Sequence, residues 1–238
     1  MKGGNKMKDL SEMLKEKYGV VFNNQELLKE AFTHSSYVNE HRQLKLKHNE
    51  RLEFLGDAVL EISVSEFLFH YYPQWSEGQL TRLRAKIVCE PSLANYSKTS
   101  GFDKHVLLGR GEETMNGRKR PALLADLFEA FIGALFLEQG MDAAKNFIQL
   151  TVLDSIKEDA FSHAMDYKTL LQEELQKNGD ILIQYIILKD EGPSHAKFFE
   201  VAVKVKGQHL GIGTGTSKKS AEQAAAQQAL KALVSQGK

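Results

Sequence analysis

Between Pro121 and Leu137 only two side chains ionise, Asp126 and Glu129, and the rest is leucine, alanine, phenylalanine, isoleucine and one glycine. A helix apolar on nearly every side is a buried helix, so this stretch demands a shell of other elements around it. Its greasiest part, Leu123 to Leu137, falls short of the ~20 residues a bilayer crossing needs, so a membrane span is not expected. The shell is legible upstream. From Asp9 to about Ser155 apolar residues recur at helical spacing, which predicts an all-α unit. Asn24 to Phe32 reads as one helix, and Asn49 to Tyr72 as a long one stopped by Pro73, which has no backbone donor to continue it. Ser76 caps a helix running to about Cys89, and Pro91-Ser92 opens the next. Leu107 to Arg120, with Gly109, Gly111 and Gly117, reads as a loop. Pro121 starts the apolar helix, Gly140 stops it, and Asp142 caps the last helix of this half.

The period then changes. Tyr167 to Lys177 is helical and ends at Asn178-Gly179. Ile181 to Leu188, Phe198 to Val205 and Gln208 to Thr214 read as strands, and Ser217 caps an alanine-rich helix to Val234. The order αβββα describes a small α+β unit with both helices on one face of a sheet. Charged Lys157 to Asp166 separates the halves. The expected organisation is residues 7–156, a linker at 157–165 and a second unit at 166–236.

Composition narrows the class. The chain has 238 residues and a formal charge of zero, which argues against a simple polycation that coats nucleic acid. Residues 1–165 carry 21 Lys+Arg against 23 Asp+Glu, and residues 166–238 carry 10 against 8. One cysteine, Cys89, forms no internal disulfide, and the lysine-rich start lacks a signal-peptide core, so the expected compartment is the reducing cytoplasm.

Asp126 and Glu129 are the chemical puzzle. Buried carboxylates cost several kcal/mol each unless paired or neutralised. On the long helix Glu50, Glu53 and Asp57 fall within about 60° of one another, while Leu52, Leu55, Val59 and Ile62 take another arc. Alone, such a stripe is commonly a solvated face. A hard divalent cation would reconcile both helices, since magnesium takes oxygen ligands. The competing account has Asp126 and Glu129 capping other helices or bonding arginines such as Arg82 or Arg84.

The thirteen residues His48 to Leu60, HNERLEFLGDAVL, resemble the signature of bacterial ribonuclease III, and Ala125 to Ala130, ADLFEA, resembles that family's second acidic helix. Thr33 to Tyr37 and Glu77 to Thr81 also resemble family segments. In the second half three patches resemble the double-stranded-RNA-binding domain: Lys168 to Glu174, Gly192 to His195, and Ser217 to Gln223. A departure is Leu182-Ile183-Gln184-Tyr185, which lacks the proline often found before that tyrosine; a small local change is expected.

The resemblance implies an all-α endonuclease domain followed by an αβββα double-stranded-RNA-binding domain. It implies a magnesium-dependent endoribonuclease, with manganese as substitute, that cuts both strands of duplex RNA to 5′-phosphate and 3′-hydroxyl staggered ends. Glu53, Asp126 and Glu129 would be metal ligands, Glu129 the central one, and Asp57 would complete the cluster and orient the attacking water. Glu50 would stand behind the ligands or at a subunit contact. Phe54 would be the knob of a two-fold homodimer. Thr169, Gln172, Glu173, Pro193, Ser194, His195, Lys218, Lys219 and Ser220 would meet RNA across ~16 bp by shape. Lys218 and Lys219 oppose the helix dipole in the free protein, a cost that an incoming phosphate reverses. Ribosomal RNA precursors and structured messenger RNA are the expected substrates. The rival is a catalytically silent duplex-RNA-binding protein or chaperone.

Three further signals are set aside. Gly211 to Gly215 before Lys218 does not match a nucleotide loop, and the glycines are expected to permit a tight turn, so no nucleotide cofactor is expected. His34, His41 and His48 recur every seven residues, but a polar loop around Arg42 to Lys47 separates them and zinc is not expected. Cys89 is expected to be a plain helix residue.

Overall fold

The computed structural model describes residues 2–154, 167–177, 181–193 and 197–236. The chain divides into two compact units, Met1–Phe161 and Ser162–Lys238.

The first unit is all helical. Helices α1 (Lys2–Tyr18), α2 (Gln25–Ala31), α3 (Ser35–Glu40), α4 (Glu50–Tyr71), α5 (Glu77–Ile87), α6 (Glu90–Thr99) and α7 (Arg110–Thr114) precede α8 (Pro121–Ile148), against which α2, α4 and α6 pack. Local signals set most of the ends. Asn24 Oδ1 accepts from the Leu27 N–H at 3.1 Å to start α2. Ser76 and Gln79 form a reciprocal capping box on α5. Helix α4 stops at Tyr71, two residues before Pro73. Inside α8, Gly140 (φ 84°, ψ −176°) interrupts the helical backbone where the sequence places a stop. As the apolar pattern requires, α8 buries Leu123, Leu124, Leu127, Phe128, Ala130, Phe131, Ile132, Ala134 and Leu135. Phe131 meets Phe102 and Phe147, each at a ring separation of 4.8 Å, which fixes the core by edge and tilted packing.

Two readings of this half are corrected. Residues 107–120 are not a plain loop but contain α7 and a 3₁₀ turn at Gly117–Lys119. The glycines masked them, because α7 is held by contacts to α3 and not by its own propensity. Cys89 is not inside a helix: it is the extended N-cap residue of α6 (φ −70°, ψ 152°), one position before Glu90 and Pro91.

The second unit has α9 (Tyr167–Gln176), an antiparallel sheet in the order β1 (Ile183–Glu191), β2 (Phe198–Val205), β3 (Gln208–Gly215), and α10 (Lys218–Gln236). Leu171 of α9, Val203 of β2 and Ala225, Ala226 and Ala229 of α10 form its buried core, so both helices share one face of the sheet. Strand β1 starts two residues later than its β-branched run and continues through Lys189, Asp190 and Glu191, whose partners Glu200, Phe199 and Phe198 hold them past a register shift at Leu188. The glycines of β3 are also corrected. Gly211 and Gly213 do not serve a turn: a Cβ on Gly211 would lie 2.6 Å from the Ala229 nitrogen, and one on Gly213 2.6 Å from the Ala221 carbonyl oxygen, whereas Gly215 ends β3 three residues before α10. Alternate glycines let α10 lie directly on the strand. The linker at 157–165 and the Asn178-Gly179 turn lie outside the described residues.

Candidate active site and RNA-binding surface

Helices α4 and α8 meet through two interior glycines. A Cβ on Gly56 would collide with the Glu129 carbonyl, and one on Gly133 would collide with the Leu52 carbonyl and stand 3.0 Å from the Gly56 nitrogen. Glycine inside a helix costs roughly 1 kcal/mol against alanine, so such a pair marks a close approach. Glu53 lies three residues before Gly56, and Glu129 four before Gly133. The crossing therefore faces the two acidic stripes. One carboxylate oxygen each from Glu53, Asp126 and Glu129 lies within 4.8 Å of the others, with the three residues half-buried.

The charges show what this nearness costs. Burial pushes the Glu129 carboxyl up to about 8, reinforced by Asp57, Glu53, Asp126 and Glu61. Burial also raises Glu53, with Asp126, Glu50 and Asp57 adding to it. Burial raises Asp126 as well, partly offset by His34 and Arg120. All three shifts run opposite to what an arginine partner imposes. Arg84, one candidate for that role, donates to Ser65 Oγ at 2.9 Å and stands 4.0 Å from Glu61. A half-buried nest of three oxygens that resist ionising together suits a small divalent cation, which takes carboxylate oxygens and relieves their repulsion. The donor set thus fits such an ion.

Other site residues of the sequence reading take different positions. Asp57 is exposed and outside the group of three, yet its charge is the foremost neighbour acting on Glu129. Glu50 is exposed, with His48 Nδ1 3.6 Å from its carboxylate. Phe54 is 81% exposed on α4. His34 caps α3, its Nδ1 accepting the Ser36 N–H at 3.2 Å. It is held by a parallel bridge between Thr33 and Leu107, while the Asn49 N–H donates to the Thr33 carbonyl at 2.9 Å, tying the start of α4 to the same strand-like segment. Burial lowers the His34 pKa, and Glu112, Arg120, Asp126 and Glu50 act on it. Glu112 and Arg120 were missed by the sequence reading, because nothing in a glycine-rich loop distinguishes them. Gly56 and Gly133 were also missed, although a glycine inside each of two strongly helical stretches was the available signal.

In the second unit Thr169, Gln172 and Lys219 line one cavity of about 580 Å³ beside Tyr185, so the first and third sequence patches adjoin. Glu173, Pro193, Lys218 and Lys219 are exposed. Ser220 is engaged in its own helix cap: its N–H donates to Ser217 Oγ, and the Ser217 N–H donates to Ser220 Oγ, both at 3.1 Å. Lys168 Nζ joins Glu222 at 2.6 Å and lies over the Tyr185 ring at 4.5 Å, locking α9 to α10 and β1. Leu182, in the segment before Tyr185 that lacks a proline, is 74% exposed at the cavity edge. Ser194 and His195 lie outside the described residues.

A Ribonuclease-III-like family model matches residues 24–156, and a double-stranded RNA binding motif model matches 167–233. The chain is 58% identical to Ribonuclease 3 of Geobacillus kaustophilus over 92% of this chain and 89% of that protein. It is 55% identical to Ribonuclease 3 of Enterococcus faecalis, covering 94% and 97%. Among solved structures, the ribonuclease III nuclease domain from Campylobacter jejuni, described for flexibility in a region involved in dimer formation, is 37% identical with a TM-score of 0.56, covering 60% of this chain and 96% of that one. With a half-buried carboxylate nest in a helical unit, an αβββα unit after it, and relatives alike over nearly the whole length, the chain belongs to the ribonuclease III family.

Proposed function

We propose that the chain is a divalent-metal-dependent endoribonuclease that cuts both strands of duplex RNA, leaving 5′-phosphate and 3′-hydroxyl staggered ends. The observation that carries this reading is the convergence of Glu53, Asp126 and Glu129 oxygens within 4.8 Å, with Glu129 held up near 8. Magnesium is the proposed ion and manganese its substitute. Bound there, it supplies the positive charge that acidifies the attacking water and offsets charge growing on the phosphate and the leaving 3′ oxygen. Glu53, Asp126 and Glu129 hold it, Glu129 centrally. Asp57, exposed at the mouth, accepts a hydrogen bond from the attacking water and aims it, while Glu50 stands behind the ligands. No nucleotide cofactor takes part.

One nest cuts one strand, so the enzyme acts as a two-fold homodimer with Phe54 as knob in the partner copy. Gln172, Glu173 and His195 bond 2′-hydroxyls, Lys218 and Lys219 hold phosphates, and Thr169, Pro193, Ser194 and Ser220 complete the contact. The nuclease domain is assigned to 7–156, the linker to 157–165 and the RNA-binding domain to 166–236. Ribosomal RNA precursors and structured messenger RNA are the proposed substrates, met in the cytoplasm. Among the described residues no helix is long and apolar enough to cross a membrane.

Incubation with long duplex RNA, with and without magnesium, tests the reading. Cutting is expected only with the ion, and Glu129→Ala is expected to abolish it while binding of the duplex survives. Binding with no cutting by the unaltered protein would instead make it a silent duplex-RNA-binding protein.

A further inference from the structure

The segment after Leu107 is fastened to its surroundings and pairs Arg118 with Glu113 and Arg120 with Glu112. The Gly109 N–H donates to Ser36 Oγ at 2.9 Å and the Gly111 N–H to Glu40 at 3.4 Å, which fastens α7 to α3. Arg118 Nε donates to Glu113 at 2.7 Å and its Nη1 to the Asp103 carbonyl at 2.8 Å. Arg120 differs. Its Nη1 stands 3.0 Å from Glu112 Oε1, an ion pair without hydrogen-bond alignment, and the pair is lopsided: the Glu112 side chain is 14% exposed and that of Arg120 48%. The turn at Gly117 lies close against this carboxylate, where a Cβ would come 2.9 Å from its carboxyl carbon. A guanidinium carries five N–H donors in a rigid fork, so a single carboxylate at one corner leaves the outer donors open.

Its position matters for the reaction. Arg120 is the residue from which α8 starts, six before Asp126, and so lies within about 9 Å of it along the helix axis. An all-carboxylate nest repels the phosphodiester backbone it must receive, and a fixed cation at the rim is what draws that backbone in.

We infer that Arg120, paired with the half-buried Glu112 carboxylate, grips a non-bridging phosphate oxygen of the RNA strand entering the nest. Glu112 is then a positioning residue that acts through Arg120. The inference rests on the nuclease reading and adds a substrate contact to it.

Steady-state cleavage of a short duplex in magnesium tests it. Arg120→Ala is expected to raise KM about tenfold with kcat within about twofold, and to lower the slope of log(kcat/KM) against log salt by about one. Arg120→Lys, which keeps the charge and loses the fork, should recover part of the KM. Glu112→Gln should raise KM about threefold, because the guanidinium is present but untethered. A structural role alone would lower the melting temperature and kcat and leave the salt slope unmoved. That result, or an unchanged KM in Arg120→Ala, overturns the inference. Duplex binding by fluorescence anisotropy, in magnesium on a Glu129→Gln background, reads the same contact without cutting. There Arg120→Ala should weaken binding severalfold with the same loss of slope. If the unaltered protein never cuts, the nuclease reading fails, and this binding arm still decides the phosphate contact.

Discussion

Glu129 concentrates the energetics of the nest in one proton. Its carboxyl is raised from 4.5 to about 8, so the folded protein without a cation prefers the neutral acid. Below about pH 4.5 the group is protonated folded or unfolded, and it costs nothing. As pH climbs, the unfolded chain ionises first, the penalty on folding grows, and it is complete above about pH 8. Each pKa unit is worth about 1.4 kcal/mol, and after discounting for partial solvent screening a loss of about 2 kcal/mol is expected. For a chain of this size that lowers the melting temperature by roughly 5 °C between pH 5 and 8 in a chelator. Glu129→Gln should flatten the dependence. Calorimetry across that range checks it, and a parallel slope in the variant would sink the assignment. A divalent cation has the opposite sign of effect, since it binds the ionised form, so magnesium should stabilise more at pH 8 than at pH 6.

At the scale of elements, the site depends on how closely two helices approach. Gly56 and Gly133 let the α4 and α8 backbones touch, and neither neighbour can yield because the obstructing atoms are main-chain carbonyls. Gly56→Ala is therefore expected to destabilise the first unit by about 3 kcal/mol, at the upper end for overpacking, despite alanine's better helix propensity. A thermal melt followed by circular dichroism measures this, and an unchanged or raised midpoint would show that the helices can part without cost. Much at this scale was legible: Ser76, Pro73 and Gly140 are local signals whose effect depends on neighbours a few residues away. The glycines were harder. Gly211 and Gly213 carry the same letters as a turn would, and only the arrival of Ala225 and Ala229 from α10 reveals their purpose. Helix α7 was illegible for the same reason, since Ser36 and Glu40 hold it from about seventy residues away. The acidic residues of the nest were legible because an ionisable side chain on an otherwise apolar helix needs a reason, whereas Glu112 and Arg120 sit among other charges that hide them.

For the whole molecule the question is how one nest becomes a cutter of duplexes. Phe54 sits next to Glu53 on α4, 81% exposed, in a chain that buries Phe32, Phe102, Phe128, Phe131 and Phe147 completely or nearly so. Burying a phenylalanine yields about 2 kcal/mol, and two-fold symmetry counts each contact twice, so Phe54→Ala should cost a dimer about 4 kcal/mol. At 1.4 kcal/mol per decade that is a dissociation constant weakened roughly a thousandfold. Sedimentation velocity at micromolar protein is expected to show a dimer becoming mostly monomer. The cutting pattern should change with it, because a lone nest reaches one strand: on a duplex labelled at both 5′ ends, the variant should accumulate nicked products before severed ones. Glu53, Asp126 and Glu129 all come from one chain, so strand cutting itself should survive at a reduced rate. A variant that sediments as a dimer and severs both strands together would place the subunit contact elsewhere on the molecule and leave Phe54 as a solvent-facing ring.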